Sequence, residues 1–159
     1  MLRSRAEGRK HEAVHSRHHH TPIGGSPVEA FANSVDLARH AERLGYQRIW
    51  FAEHHGVSAS TASSTPEVLV ARAAALTDRI RVGSGVVQLN HYSPFKVAET
   101  FAVLDAMSPG RIDLGIGRAS SAPALDFALR RVRSAAPVDD YAEQVAEVRR
   151  DATPAKGVS

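Results

Sequence analysis

From Ser26 onward, apolar residues recur at helical spacing, and each such stretch is punctuated at both ends. Val28, Phe31, Val35 and Ala38 fall on one face of a helix. Ser26, Pro27 and Glu29 supply a capping serine, a first-turn proline and the acid of a capping box. Gly45, directly after Leu44, predicts where this helix stops. Residues 46–52 are rich in aromatic and branched side chains and predict a strand. The unit then repeats. Thr65 and Pro66 open a helix running to Leu76, and a strand spans residues 80–87 with Gly83 and Gly85 inside it. Ser93 and Pro94 open a third helix with Val97, Phe101 and Leu104 on one face, and the turn Ser108, Pro109, Gly110 leads into a strand over residues 111–116. Ile49, Ile80 and Ile112 stand 31 and 32 residues apart, close to the ~30 residues of one βαβ unit. Strands and helices alternating at that length predict a parallel sheet covered by helices. After Arg118 two more helices are expected, over residues 124–132 and 141–150, and no further strand.

The first 25 residues carry none of this periodicity. They hold His11, His15 and the run His18, His19, His20, and read as a disordered leader with no strand before Ser26. Metal binding by the histidine run is the alternative, but adjacent histidines in a flexible segment give no defined ligand geometry. The chain thus divides into a leader (1–25), an α/β domain (26–150) and a polar tail (151–159).

Charge sharpens this division. The formal net charge of +3 comes from the leader, where five basic residues face two acidic ones; the other 134 residues carry 15 of each sign. A nucleic-acid binder carries its basic excess on the folded body, so that partner is set aside. No apolar run is long enough to cross a bilayer or to act as a secretory signal, so no membrane partner is expected and the default compartment is the cytoplasm. With no cysteine in the chain, thiolate catalysis and thiolate metal sites are excluded.

Polar residues gather just after each predicted strand: Glu53, His54 and His55 after the first, Asn90 and His91 after the second, Arg118 after the third. Parallel α/β folds bind ligands at that edge. For Glu53, His54 and His55 three readings stand open. The histidines are solvated or satisfied by backbone; or they ligate a metal, which their divergent directions on leaving a strand disfavour; or they exchange protons, as imidazole does near neutral pH. Gly115, Ile116 and Gly117 invite a nucleotide-binding reading, with Asp139 and Asp140 at the distance of a ribose-binding acid. Ser120 stands where the third glycine belongs, however, and Pro123 interrupts the helix start. Glycines that let backbones pack closely are the simpler account.

Three segments together carry a resemblance: IWFAEHHG, then RIRVGSGVVQLNHYSP, then SPGRIDLGIGR, in this order and separation. The chain resembles the amino-terminal half of the bacterial luciferase-like flavin-dependent monooxygenases, most strongly from Gly45 to Ala119. The resemblance implies a partial TIM (β/α)8 barrel of about three parallel βα units, not closed. It implies reduced FMN that activates oxygen for attack on a small organic substrate, with a flavin reductase as supplier. A deazaflavin coenzyme in a hydride-transfer enzyme is the alternative, and a non-catalytic α/β remnant acting through protein association is another. His54 matches an acid–base participant beside the flavin, with His55 supporting it. Gly85 and Val86 match a place where the family can hold a non-proline cis peptide under the ring, Arg118 matches an arginine at the flavin phosphate, and Glu53 and Asn90 join the cofactor-binding set. No metal is assigned. A homodimer through the helix faces is implied, and a chain this much shorter than a complete barrel is expected to show little activity alone.

Overall fold

The computed structural model describes residues 14–16, 26–56, 63–118, 123–129 and 139–152. It is an α/β structure in the order β1 (Val14–Ser16), α1 (Pro27–Arg43), β2 (Arg48–Phe51), α2 (Pro66–Ala75), β3 (Arg81–Gln88), α3 (Pro94–Met107), β4 (Ile112–Gly117), α4 (Pro123–Leu129) and α5 (Tyr141–Asp151), with one 3-10 turn, Leu89–His91, between β3 and α3. The four strands form one sheet in the order β1-β2-β3-β4, every pair parallel. A sheet that does not close on itself leaves β4 at one margin, and all six residues of β4 are half-buried.

One expectation is corrected. A strand does precede Ser26: Val14, His15 and Ser16 pair in parallel with Ile49, Trp50 and Phe51. Three residues are too few to show an alternating pattern, and this strand is defined by the partner that supplies its ladder. The histidine run at residues 18–20 lies outside the described residues.

Local chemistry explains the other boundaries. At the start of α1 the Glu29 N–H donates to Ser26 Oγ (3.3 Å) and the Ser26 N–H to Glu29 Oε2 (2.7 Å), completing the capping box. At its end Gly45 takes φ +82°, so its N–H reaches the Glu42 carbonyl and that of Tyr46 the Ala41 carbonyl, each at 3.0 Å. These bonds form a Schellman cap, which needs a left-handed residue at this position. Glu42, one turn earlier, accepts three backbone N–H groups on Oε1, from Asp78 (3.0 Å), Arg79 (2.6 Å) and Ile80 (2.9 Å), tying the end of α1 to the entrance of β3. The core lies between the sheet and its helices. Ile49, Phe51, Val82, Val87 and Leu89 pack there against Ala38, Val70, Ala73, Phe101 and Val148. A fully buried residue such as Ile49 or Phe51 contributes roughly 1.5 to 3 kcal/mol by leaving water. Among the described residues no helix is long and apolar enough to cross a membrane.

Candidate active site

The parallel sheet brings the carboxyl ends of β2, β3 and β4 to one edge, and the residues singled out after each strand share it. The chain leaves β2 through Ala52 and Glu53, both buried, and returns at Ser63, which clamps that exit: Ser63 Oγ donates to the Ala52 carbonyl, and the His54 N–H donates to the Ser63 carbonyl (2.8 Å). Held this way, Glu53 places its carboxylate inside the protein, with a side-chain exposure of 0%.

Three donors converge on that carboxylate. The Gln88 N–H at the end of β3 donates to Oε2 (2.8 Å), the Tyr92 hydroxyl to Oε1 (2.6 Å), and His55 Nε2 also meets Oε1. The Gln88 side-chain amide donates to the Glu53 carbonyl (2.8 Å), so one residue fastens the end of β2 to the end of β3. Tyr92 Oη also lies 3.2 Å from His55 Nε2, closing a triangle of phenol, carboxylate and imidazole. Burial, then the hydrogen bond to Glu53 and the charge of that carboxylate, push the Tyr92 phenol far above its ordinary range, so it remains a donor. His91 is buried, its ring edge-on to that of His55 at 6.3 Å between centroids. Burial holds its imidazole below the ordinary value, against the opposing charges of Asp126 and Glu53, and keeps the ring neutral near pH 7.

The other candidates are placed as follows. Asn90 is half-buried, its side-chain amide 3.5 Å from His91 Nε2. His54 is half-buried at the same edge. The peptide bond between Gly85 and Val86 is cis, and Val86 is exposed. Arg118 is exposed and engaged by α5: its guanidinium meets Asp139 at 3.0 Å and lies 6.0 Å from the centre of the Tyr141 ring. Asp139, the candidate ribose ligand of the nucleotide reading, is therefore that arginine's partner.

Gly115 and Gly117 belong to β4 itself. A Cβ on Gly115 would stand 2.3 Å from the Ser84 carbonyl oxygen, and one on Gly117 2.5 Å from Val86 Cγ2, so these glycines serve close packing. Sequence reasoning missed Tyr92 and Gln88. The available signal for Tyr92 was its place beside Asn90 and His91 in the turn that follows β3. Among the described residues no group of three histidine or acidic side chains is arranged to hold a metal ion.

Comparison with known proteins supplies the remaining observation. Residues 12–156 match the family model described as luciferase-like monooxygenase. A luciferase-like monooxygenase of Escherichia coli K12 is 42% identical over 127 residues, which are 80% of this chain and 38% of that protein. The crystal structure of apo-MsnO8 superposes with a TM-score of 0.83 at 42% identity, over 93% of this chain and 44% of that one. The oxygenating constituent of 3,6-diketocamphane monooxygenase from Pseudomonas putida, a type II Baeyer-Villiger monooxygenase solved with FMN, shares the fold with a TM-score of 0.69 at 23% identity, over 89% of this chain and 38% of that one. The chain spans less than half the length of each of these proteins.

Proposed function

The chain belongs to the luciferase-like monooxygenase family, and from that premise we propose that its strand-end edge is built for a reduced-flavin monooxygenase reaction on a small organic substrate, with oxygen as co-substrate and a flavin reductase as supplier. The observation that carries this reading is the convergence of Glu53, His55 and Tyr92 on the edge that Gly85, Val86 and Arg118 share. Three features suit a flavin. Val86 offers an exposed apolar surface beside Gly117. Gln88 Oε1 is enclosed without a hydrogen-bond partner, a spare acceptor at the same strand end. Arg118 is a cationic fork suited to a phosphate and is engaged on its exposed side by one carboxylate, which a dianion would displace.

When bound, reduced FMN supplies the electrons that activate oxygen. Gly85, Val86 and Asn90 would hold its ring system and Arg118 its phosphate. His54 moves a proton at the reacting edge, with His55 behind it, and Glu53 keeps the ends of β2 and β3 in place. The outer helices support pairing of two copies: Phe31, Val68, Val103 and Met107 are exposed apolar residues on α1, α2 and α3.

Flavin binding tests the proposal. FMN and riboflavin are titrated into the purified chain and followed by flavin fluorescence. FMN is expected to bind more tightly than riboflavin, and Arg118→Ala to weaken FMN by about tenfold, the scale of one charge-assisted phosphate contact, without changing riboflavin. Equal affinity for the two ligands, unaltered by the substitution, would remove Arg118 from the phosphate and the cofactor from this edge.

A further inference from the structure

We propose that Glu53 is a positioning residue that fixes His55 in the Nε2–H tautomer, leaving Nδ1 as the nitrogen that can take up a proton in support of His54 at the strand-end edge. The inference deepens the monooxygenase reading, on which only the use of that proton rests. The hydrogen bonds set the tautomer without reference to any ligand.

The Gln88 backbone N–H always donates, and it points at Glu53 Oε2 from 2.8 Å. The Tyr92 hydroxyl, kept protonated by burial and by this same carboxylate, donates to Oε1 from 2.6 Å. Two donors on its oxygens favour the ionised form of Glu53, which has no hydrogen to offer, so in that form the atom of His55 that meets Oε1 must bring one. That atom is Nε2. In the neutral ring the proton on Nε2 leaves Nδ1 with the lone pair. The side chain of His55 is only 11% exposed, which limits competition by water for the Nε2 hydrogen. The groups surrounding this pair come from several elements. His54 follows β2, Gln88, Asn90, His91 and Tyr92 end β3 or follow it, Glu67 of α2 acts on Tyr92, and Asp126 of α4 acts on His91. The Gln88 N–H on Oε2 and the imidazole on Oε1 are the contacts that set the tautomer.

The same logic gives a test in which one atom is exchanged. In Glu53→Gln the amide oxygen must face the Gln88 N–H, because two donors cannot face each other there. The amide NH2 is then turned toward Tyr92 and His55. The Tyr92 hydroxyl can rotate to accept, but His55 Nε2 can accept only by giving up its hydrogen, so the tautomer inverts to Nδ1–H. Tyr92→Phe removes a donor and leaves the carboxylate, so Nε2–H persists.

The experiment is a long-range proton–nitrogen correlation of the histidine rings in the nitrogen-15-labelled 159-residue chain, at a pH where the rings are neutral. The wild type and Tyr92→Phe are expected to show Nε2–H over Nδ1–H by at least about tenfold, the ratio set by one charge-assisted hydrogen bond to one nitrogen alone. Glu53→Gln is expected to show the reverse. An Nδ1–H ring in the wild type, or the same tautomer in wild type and Glu53→Gln, would overturn the assignment. If Glu53→Gln does not fold, the wild-type and Tyr92→Phe spectra still decide it. FMN binding, measured separately as above, tells failure of this inference from failure of the cofactor reading.

Discussion

Removing one buried hydroxyl, that of Ser84, should weaken the sheet by several times an ordinary surface change, and the register of β3 against β4 shows why. Ser84 stands opposite Leu114, but the next pair is Val87 with Ile116, so β3 spends two residues, Gly85 and Val86, where β4 spends only Gly115. An extra residue of this kind interrupts the ladder. The backbone groups of Gly115 are satisfied instead by the Ser84 side chain: Oγ donates to the Gly115 carbonyl (2.9 Å) and accepts from the Gly115 N–H (3.0 Å). Ser84→Ala leaves both without a partner. A buried orphan group costs about 1 to 3 kcal/mol. Ser84 is fully buried, but Gly115 is half-buried and water repairs part of the loss, so the expected total is about 2 to 4 kcal/mol. That is a large share of the ~5 to 15 kcal/mol that holds an ordinary domain together. The assay is urea unfolding followed by circular dichroism, where at unchanged slope the midpoint should fall by roughly 1 to 2 M. Thr100→Ala is the comparison, since its hydroxyl makes a similar bond to the Lys96 carbonyl (2.9 Å) on the exposed side of α3 and should change stability by less than about 0.5 kcal/mol. If Ser84→Ala matched Thr100→Ala, the two strands would be closing their ladder without the serine, and the account of this junction would be wrong.

Two further outcomes follow from the same contacts. Gly115→Ala places a methyl group 2.3 Å from the Ser84 carbonyl oxygen, a backbone atom that cannot swing away, so β3 and β4 must separate locally; a loss of about 1 to 3 kcal/mol is expected in the same urea assay, and an unchanged midpoint would show the strands free to move. Stability should fall with acid in two stages. His91 is held below its ordinary value of 6.5 by burial, so the unfolded chain takes up a proton that the folded chain refuses and stability drops as pH falls below about 6.5. Asp113 and Glu42 are held low against the opposing effect of their burial, Asp113 by Arg81 and Arg48 and Glu42 by three backbone N–H groups, so their contribution is present above about 4 and lost as pH falls further. His91→Gln should flatten the first stage between pH 7.5 and 5.5 and spare the second, and an unaltered first stage would assign it to another group.

How much of this was legible in the chain depends on how local the cause is. The start of α1 is written in Ser26, Pro27 and Glu29 and its end in Gly45, all within reach of the groups they cap, and those boundaries stand. The strands expected over residues 80–87 and 111–116 lie within a residue or so of the observed ones, since branched residues run through both and a Ser-Pro-Gly turn precedes the second. The first strand was not legible, since nothing in Val14, His15 and Ser16 says that β2 will lie alongside. At the site, the rule that ligands meet parallel strands at their carboxyl ends found the edge and named Glu53, His54, His55, Asn90 and Arg118. It could not say that Glu53 would be a buried hub, because its partners Gln88 and Tyr92 stand 35 and 39 residues further on. Nor could it say that Arg118 would lean on α5, since Asp139 is 21 residues away across a segment with no strong pattern.

One face of the sheet shows where its polar side chains are paired and where they gather at the strand ends. Trp50, Gly83 and Asp113 are paired across three strands, and side chains two residues apart share a face, so Arg48 and Trp50 of β2, Arg81, Gly83 and Gly85 of β3, and Asp113, Gly115 and Gly117 of β4 all project to the same side. At the amino-terminal edge Asp113 accepts from Arg48 Nε (2.6 Å) and Arg81 Nε (3.0 Å), while Arg81 also reaches the Gly110 carbonyl. Those charges are spent on one another. One step along, the ring of Trp50 lies 2.7 Å from where a Cβ on Gly83 would be, and its Cβ 2.9 Å from one on Gly85. The alternating glycines of VGSG are thus the space that a single tryptophan fills, while Gly115 closes against the backbone of β3. Along this face of β2, β3 and β4, a paired ion cluster is followed by an aromatic layer before the strands end. Beyond that point stand Glu53, Gln88 and Arg118, with Val86 an exposed apolar residue beside them. A ligand that needed a polar anchor on this face would therefore find it at the carboxyl edge, where the two histidines already stand.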